Sequence, residues 1–202
     1  MDSKRIINVP FSKEQVNQLK SGDYVYLTGT LYSARDAAHK RLFDSIVQTE
    51  NDNMNGKELF EQGVLPLDIT DNIFYYLGPT PAREDQVIGS AGPTTSSRMD
   101  KYTPLLLSKG LTGMIGKGKR SREVIDAIVA HKAVYFAAVG GAGALLSKCI
   151  KKSEVIAYDD LGTEAIRKME VEDFPVIVVI DSQGNNLYET AVEEYNSSKT
   201  ER

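Results

Sequence analysis

Cysteine, histidine and tryptophan are scarce in this chain: its 202 residues include one cysteine, two histidines and no tryptophan. With Cys149 alone no intramolecular disulfide can form, and we expect a reducing, cytoplasmic setting. An internal zinc or iron–sulfur site is also not expected, because such a site takes about three or four cysteine or histidine ligands. A cluster of this kind would have to be bound by a partner.

Long apolar runs and a large excess of one charge are missing too. The longest apolar stretches, such as 176–180, are far too short to span a bilayer, and the first residues lack the apolar core of a secretory signal. The formal net charge of −4 predicts no strong attraction to nucleic acid or to an anionic membrane surface. The composition is otherwise ordinary, and we expect one domain over residues 1–202 with a frayed polar tail at 193–202.

Apolar periodicity and turn residues divide the chain into alternating strands and helices. We predict strands at 6–10, 23–30, 73–77, 112–115, 133–139, 155–158 and 176–180, and a last short strand after a turn at 184–185. We predict helices after the Ser12 cap and at 34–48, 96–108, 121–131, 162–169 and from the glycine-rich residues 140–143 to Cys149, with a polar, turn-rich segment at 51–63. This alternation is typical of an α/β fold with a largely parallel sheet in the second half. The first half is richer in strands and turns, which favours a mixed β/β/α architecture over a plain Rossmann fold.

The first candidate for chemistry is the sequence ARDAAHKR, residues 34–41. Arg35 and His39 are four residues apart and would share one face of a helix. Arg35 falls in the first turn, where the helix dipole disfavours a cation. This unfavourable position hints that the charge of Arg35 has a functional role. Its guanidinium could bind a carboxylate bidentately, and His39 could donate a proton or orient a neighbour. A solvated basic face of an amphipathic helix explains the same spacing, and the residues alone leave both explanations open.

The second candidate is the sequence GPTTSSRMD, residues 92–100. Glycine and proline fix a turn, and the hydroxyl residues lead into a helix start whose free N–H groups could hold an anion. Thr94 and Arg98 are four residues apart and could converge on one ligand. A threonine hydroxyl is a poor base unless a nearby cation lowers its pKa, and Arg98 is the obvious candidate. An ordinary Ser/Thr helix cap with a surface arginine is the alternative.

The third candidate is GKGKR, residues 116–120, at the end of a predicted strand. Glycines on both sides of Lys117 let the backbone approach a ligand closely, and ligands of α/β sheets collect at the carboxyl ends of strands. A basic surface turn before the Ser121 helix cap explains the pattern equally well. Residues 140–143 carry a weaker signal, because they lack both the Lys-Ser/Thr of a phosphate loop and the full dinucleotide spacing.

Together, Arg35, Arg98 and Lys117 place three permanent cations on loops or helix starts, which suggests a small dianionic ligand such as a dicarboxylate. No carboxylate pair, nucleophile triad or metal-ligand spacing names a reaction. From these residues alone, a regulatory module that senses a dicarboxylate competes with an enzyme.

Five segments carry a more specific signal: TGTLYSARDAAHKR, FYYLGPT, GPTTSSRMD, GKG-R-S and VEDFPVIVVIDSQGN. In this order they resemble the C-terminal region of class I fumarases and the β subunit of iron–sulfur L-tartrate dehydratases, over most of the chain. The resemblance implies a swivelling β/β/α domain. It also implies a four-iron–four-sulfur cluster bound by an α subunit through three cysteines, with one iron open to the substrate as a Lewis acid. This chain should then be inactive alone.

The resemblance also implies roles for individual residues. Arg35 and Arg98 would bind the substrate carboxylates, with Thr95 also in the substrate site. Thr94 would be the base that takes the carbon-bound proton of malate, and Lys117 would favour its alkoxide. His39 matches the histidine often proposed as catalytic in the tartrate-type subunit. Details of the motifs favour fumarate, with L-tartrate or another 2-hydroxy dicarboxylate as the runner-up, and the αβ unit could itself form a dimer.

Overall fold

A computed structural model of the chain describes residues 4–49, 53–138 and 143–191. Within these ranges the sheet contains seven strands: β1 (Ile6–Val9), β2 (Tyr24–Ser33), β3 (Ile73–Tyr75), β4 (Gly113–Gly116), β5 (Val134–Ala137), β6 (Ile150–Ala157) and β7 (Ile166–Ile180). The α-helices are α1 (Lys13–Asn17), α2 (Asp36–Gln48), α3 (Gly56–Glu61), α4 (Thr103–Ser108), α5 (Arg122–His131) and α6 (Gly143–Cys149). Two 3₁₀ helices occupy Ser96–Met99 and Asp159–Glu164, and residues 187–191 are also helical.

The pairing of the strands closes the sheet on itself. The first five strands run parallel to their neighbours in the order β1-β2-β3-β4-β5. β7 is antiparallel both to β5 and to β2, so the pairing passes from β2 through β3, β4, β5 and β7 back to β2. β6 shares the second edge of β7 with β5. The result is a closed ring of five strands, with β1 and β6 paired on its outside edges.

Side chains of the ring strands alternate between two hydrophobic clusters, because successive residues of a strand point to opposite faces. In β3, Phe74 belongs to one cluster and Tyr75 to the other. The inner cluster is formed by side chains that the ring strands point towards one another, and it includes Leu27, Ile115, Phe136 and Phe174. The outer cluster packs the ring against α2, α4 and α5 through Leu42, Leu106 and Ile128. The mixed α/β fold and the mixed sheet predicted from the sequence are therefore confirmed. The largely parallel sheet predicted for the second half is wrong, because β7 is antiparallel to both β5 and β6 and, among the described strands of that half, only β4 and β5 run parallel.

Most predicted elements are present, but the helix predicted at 162–169 is wrong. A 3₁₀ helix ends at Glu164, and β7 begins at Ile166 and continues for 15 residues. Gly162 has φ 59° and ψ −115°, which no helix adopts. From residue 166 onwards β7 is hydrogen-bonded to strands on both sides, and this pairing overrides any local preference for helix.

Three further predictions need correction. The helix predicted at 96–108 is broken between Met99 and Thr103, because the ring of Pro104 would clash with the carbonyl four residues earlier in a continuous helix. The segment 51–63 contains α3, which begins with an Asn55–Glu58 capping box. The last short strand is wrong, because residues 187–191 are helical and only an isolated bridge pairs Asn186 with Ile180.

Some expectations fall beyond the described ranges. Residues 140–142 of the glycine-rich turn and the tail at 193–202 lie outside the described residues, although the helix predicted to reach Cys149 is present from Gly143.

Among the helices that the structure describes, none combines the length and the hydropathy needed to cross a membrane.

The closed ring makes a prediction about stability. Phe174 of β7 is fully buried and its ring lies 5.2 Å from that of Tyr75, whereas Phe60 of α3 is 45% exposed. We expect Phe174→Ala to lower the free energy of unfolding by about 3–5 kcal/mol, because it leaves a cavity inside the ring. The matched control Phe60→Ala should cost less than about 1 kcal/mol. Urea denaturation of both variants measures the difference, and equal losses would contradict the assignment of the inner cluster.

Candidate functional site

Parallel strands bring the predicted site residues to one edge of the sheet. β2, β3 and β4 are neighbours that run parallel, so their carboxyl ends meet at the same edge, where ligands of α/β sheets collect. Arg35 comes soon after β2, and Lys117 follows β4 directly. The segment 92–98 joins the same edge, because the Thr94 N–H donates to the Tyr76 carbonyl just after β3 at 2.7 Å.

Asp36 connects the two arginines of the site. Arg35 is the N-cap residue of α2, and Asp36 is the first residue of the helix, where the dipole favours a carboxylate. The Arg98 Nε donates to Asp36 Oδ1 at 2.6 Å, and Asp36 Oδ2 lies 3.5 Å from Arg35 Nη2. One carboxylate therefore holds two guanidinium groups from distant parts of the chain close together.

Glu164 fixes the other side of Arg35. Its Oε1 lies 3.4 Å from Arg35 Nη2, and its Oε2 accepts a hydrogen bond from the Ala37 N–H at 2.9 Å. The guanidinium also lies against Gly78, where a Cβ atom would come within 2.5 Å of Arg35 Nη1. The Arg35 side chain is consequently only 18% exposed, whereas that of Arg98 is 52% exposed and open to solvent.

A backbone contact joins the threonine segment to the turn after β4. Thr95 and Lys117 form an isolated parallel bridge, and the Ser96 N–H donates to the Lys117 carbonyl at 2.9 Å. The Ser96 side chain packs directly on Gly116, where a Cβ atom would lie 2.0 Å from Ser96 Oγ and 2.9 Å from Tyr76 Cδ2, so a larger residue at this position would displace the Ser96 hydroxyl. Of the predicted site residues at this contact, Thr94 is half-buried, whereas Thr95 and Lys117 are exposed.

His39 lies behind this edge. It is fully buried, and its ring packs edge-on against Phe74 and Tyr76 and lies 6.4 Å from the ring of Tyr102. Its Nδ1 lies 3.0 Å from the Arg35 carbonyl, so Nδ1 carries a proton and donates it, while Nε2 has no partner among the described residues. Burial lowers the pKa of His39 from 6.5 to about 4. This geometry suits the orienting role, by which His39 holds Arg35, and gives no support to direct proton donation.

A buried ion pair that the sequence did not reveal lies beneath the edge. The Arg120 side chain has no exposed surface, and its Nε donates to Asp100 Oδ1 at 2.7 Å while Nη2 donates to Thr103 Oγ1 at 2.8 Å. Its guanidinium lies over the rings of Tyr76 and Tyr135, at 5.4 and 5.1 Å. Arg120 is thus a structural cation that supports the turn containing Lys117.

The acidic residues of the site escaped sequence reasoning for different reasons. Asp36 had a local signal, because an acidic residue next to Arg35 in the first helical turn is a typical helix-start feature. Asp100 stood within the 92–100 motif, but nothing there pointed to Arg120. Glu164 is 127 positions from the Ala37 amide that it holds, and no local pattern indicates such a contact.

The metal-binding capacity of this chain is small in the part that the structure describes. No three His, Cys, Asp or Glu side chains are grouped there so as to hold a metal ion. The Cys149 thiol contacts the backbone carbonyls of Leu145 and Asp173 at 3.8 Å each. Burial raises the pKa of this thiol, which disfavours the thiolate form that binds metals. A single thiol in this setting does not fit an iron–sulfur cluster.

Comparison with known proteins identifies the family of this chain. A family model described as "Fumarase C-terminus" matches residues 2–191. The chain belongs to the fumarase C-terminus family. The resemblance drawn from the five sequence segments is thereby confirmed.

Relatives of this family member fall into two groups. The chain is 40% identical over 181 residues to "Fumarate hydratase class I, anaerobic" of Escherichia coli and 38% identical over 179 residues to "Fumarate hydratase 2" of Leishmania major. These matches cover 88% and 87% of the chain but only 30% and 29% of the relatives. It is 35% identical over 184 residues to a "Putative L(+)-tartrate dehydratase subunit beta" of Methanocaldococcus jannaschii, covering 88% of both proteins. The chain therefore spans less than a third of each of these two fumarate hydratases.

Neutral, buried His39 links folding stability to pH. Between its unfolded pKa of 6.5 and its folded pKa of about 4, the unfolded chain binds a proton that the folded chain does not. The stability that neutral His39 contributes to the free energy of unfolding is fully present above pH 6.5. It is lost as the pH falls towards 4, by roughly 3 kcal/mol in total. Urea denaturation across this range should show the loss in the wild type and in the control His131→Gln, and a much smaller one in His39→Leu. Parallel pH profiles for the wild type and His39→Leu would contradict the assignment.

Proposed function

We propose that this chain acts as the β subunit of a two-subunit iron–sulfur fumarate hydratase, a hydro-lyase that interconverts fumarate and L-malate. The observation that carries the proposal is the sheet edge where Arg35, Thr94, Arg98 and Lys117 meet. Three cations beside hydroxyl groups suit a small molecule with two carboxylates. The names of the relatives support the reaction class, and the match along most of a tartrate-type β subunit supports the two-subunit organisation.

Arg35 and Arg98 would bind the two carboxylates. Arg98 donates to Asp36 only through Nε, and its terminal nitrogens have no other partner among the described residues, so they can face a planar carboxylate. Arg35 lies 3.4 and 3.5 Å from its two acidic neighbours, longer than a good charge-assisted hydrogen bond, and can strengthen its contacts with a ligand. Asp36 would offset the repulsion between the two guanidinium groups before the substrate arrives.

Thr94 would remove the carbon-bound proton of malate and return it when fumarate is hydrated. A threonine hydroxyl needs nearby cations before it can act as a base. Lys117 is held beside the threonines by the Thr95 bridge, and Arg98 follows on the same segment. Thr95 is exposed at this place and would contact the substrate. The arginines would stabilise the charge that grows on a substrate carboxylate as the proton leaves.

His39 would act through Arg35. Its Nδ1–H holds the Arg35 carbonyl, and its burial keeps the ring away from solvent and substrate. A neutral imidazole at this position fixes the start of α2 without adding a charge. We therefore include His39 in the site as a residue that positions Arg35.

The iron–sulfur cluster implied by the resemblance does not fit the donors of this chain, so no step of the reaction is assigned to it here. We propose that an α subunit binds the cluster and that the site is completed where the two subunits meet. Swivelling of the present domain relative to that subunit, a dimer of the αβ unit and a cytoplasmic location belong to the same proposal. The exposed Arg98 and Lys117 side chains suit a site that a partner completes.

L-Tartrate dehydration is the second candidate function. It is favoured by the Methanocaldococcus jannaschii relative, whose printed name is that of a β subunit and which aligns with this chain over 88% of both. L-Tartrate has the same two carboxylates as malate and one more hydroxyl group. The cationic edge described above would accept either substrate, so the choice requires a direct assay.

The proposed function predicts an activity shared between two chains. We expect anaerobic hydration of fumarate, followed by ultraviolet absorbance, only when this chain is co-expressed with a cluster-binding α subunit from the same source. The chain alone and the α subunit alone are the controls, and L-tartrate is tested in parallel. Loss of L-tartrate without turnover of fumarate would favour the second candidate. Silence with both substrates, with an intact cluster, would leave a dicarboxylate-sensing module.

The role of Thr94 predicts a separation of catalysis from assembly. Thr94→Ala should lower kcat in the assembled complex by a factor of about 1,000 or more, because the base is lost while the guanidinium groups remain. The matched control Thr49→Ala, at the far end of α2, should keep the wild-type rate. Steady-state kinetics and size-exclusion chromatography of each complex measure the two effects. Normal turnover by Thr94→Ala would overturn the assignment.

A further inference from the structure

Two segments that the proposed mechanism needs come from different strands. Thr94 and Thr95 belong to the segment after β3, and Lys117 belongs to the turn after β4. Their backbones are joined by the Thr95–Lys117 bridge and by the Ser96 N–H donating to the Lys117 carbonyl. A threonine base and its lysine must keep one spacing, and this spacing depends on the side chains that fix the two segments together.

A tyrosine of a third strand lies beneath both segments. Tyr135 belongs to β5, opposite Met114 of β4, and its side chain is fully buried. Its hydroxyl oxygen lies 2.8 Å from the Gly118 carbonyl and 2.9 Å from Ser96 Oγ. One phenol therefore contacts the residue after Lys117 and the residue after Thr95.

The donors and acceptors fix the direction of these two hydrogen bonds. The Gly118 carbonyl can only accept, so the single proton of Tyr135 is donated to it. The Ser96 hydroxyl must then donate to the Tyr135 oxygen. Burial raises the pKa of Tyr135 far above its ordinary value, so the phenol keeps this proton at any working pH. The chain Ser96–Tyr135–Gly118 has one arrangement of protons.

The ring of Tyr135 is itself held in place. The Arg120 guanidinium lies over it at 5.1 Å and is fixed by Asp100 and Thr103. The Asp100 carboxylate also accepts a hydrogen bond from the Ser121 N–H at 2.7 Å, at the start of α5. The phenol is therefore attached to a rigid base, and its hydroxyl can define where the two segments lie.

We propose that Tyr135 is a positioning residue that sets the distance between Thr94 and Lys117 through its hydrogen bonds to Ser96 and Gly118. This proposal rests on the proposed function and deepens it. Tyr135 touches no substrate; it acts through the backbone of the two segments. Its loss should affect the proton-transfer step more than substrate binding, because Asp36 still pairs with both arginines and Glu164 still pairs with Arg35.

The test compares Tyr135→Phe with the matched control Tyr24→Phe, which removes the same hydroxyl from a residue that is 48% exposed at the start of β2. In the assembled complex Tyr135→Phe should lower kcat about 10-fold or more, with KM within about 2-fold of the wild type. The kcat–pH profile should move to higher pH, because a displaced Lys117 favours the alkoxide less. Ser96→Ala should lower kcat in the same direction but by less. The double variant should lose less transition-state stabilisation than the two single variants lose together, because both remove the same hydrogen bond. Wild-type kcat in both Tyr135→Phe and Ser96→Ala would overturn the proposal.

A measurement without turnover separates this proposal from the proposed function. Hydrogen–deuterium exchange of the Ser96 amide in this chain should be faster in Tyr135→Phe than in the wild type, because the hydrogen bond from the Ser96 N–H to the Lys117 carbonyl is no longer stabilised by the Tyr135 hydroxyl. Exchange of this amide should be unchanged in Tyr24→Phe. Unchanged exchange overturns the positioning role whether or not the complex is active. Should Tyr135→Phe not fold, Ser96→Ala gives the same readout.

Discussion

The antiparallel pairing of β7 with both β2 and β5 is the interaction on which the rest of the structure depends. It turns a row of strands into a ring, so that Leu27, Phe136 and Phe174 can face one another in a single inner cluster. It also fixes β2 relative to β3 and β4 from the far side. The carboxyl ends of these three parallel strands therefore meet at a stable edge, and the cationic site is built on that edge.

Much of this arrangement could be predicted from the sequence, because its signals are local. Apolar alternation located most of the strands, and glycines and helix caps located most of the turns. Arg35, Arg98 and Lys117 could be recognised as a group since each follows a strand or starts a helix. The parallel order of β2, β3 and β4 then brings these ends together without any further information.

The remainder could not be predicted because it depends on contacts between distant residues. Nothing near Glu164 shows that it holds Arg35, and nothing near Tyr135 shows that its hydroxyl lies between Ser96 and Gly118. The false helix at 162–169 has the same origin, since β7 owes its conformation to partners on both sides. Burial of His39 was equally hidden, because the rings that surround it come from β3 and from the residues before α4.

The ring also has a consequence for how the protein is made. β2 leaves the ribosome early, but its partners in β7 come about 134 positions later, as in the Ser33–Arg167 contact. At translation rates of about 5–20 residues per second, the long edge of β2 stays unpaired for on the order of 10 seconds. An open strand edge is a template for association with other chains. Synthesis of this protein therefore includes a period in which β2 exposes an unpaired edge, and this period ends only after β7 has been made.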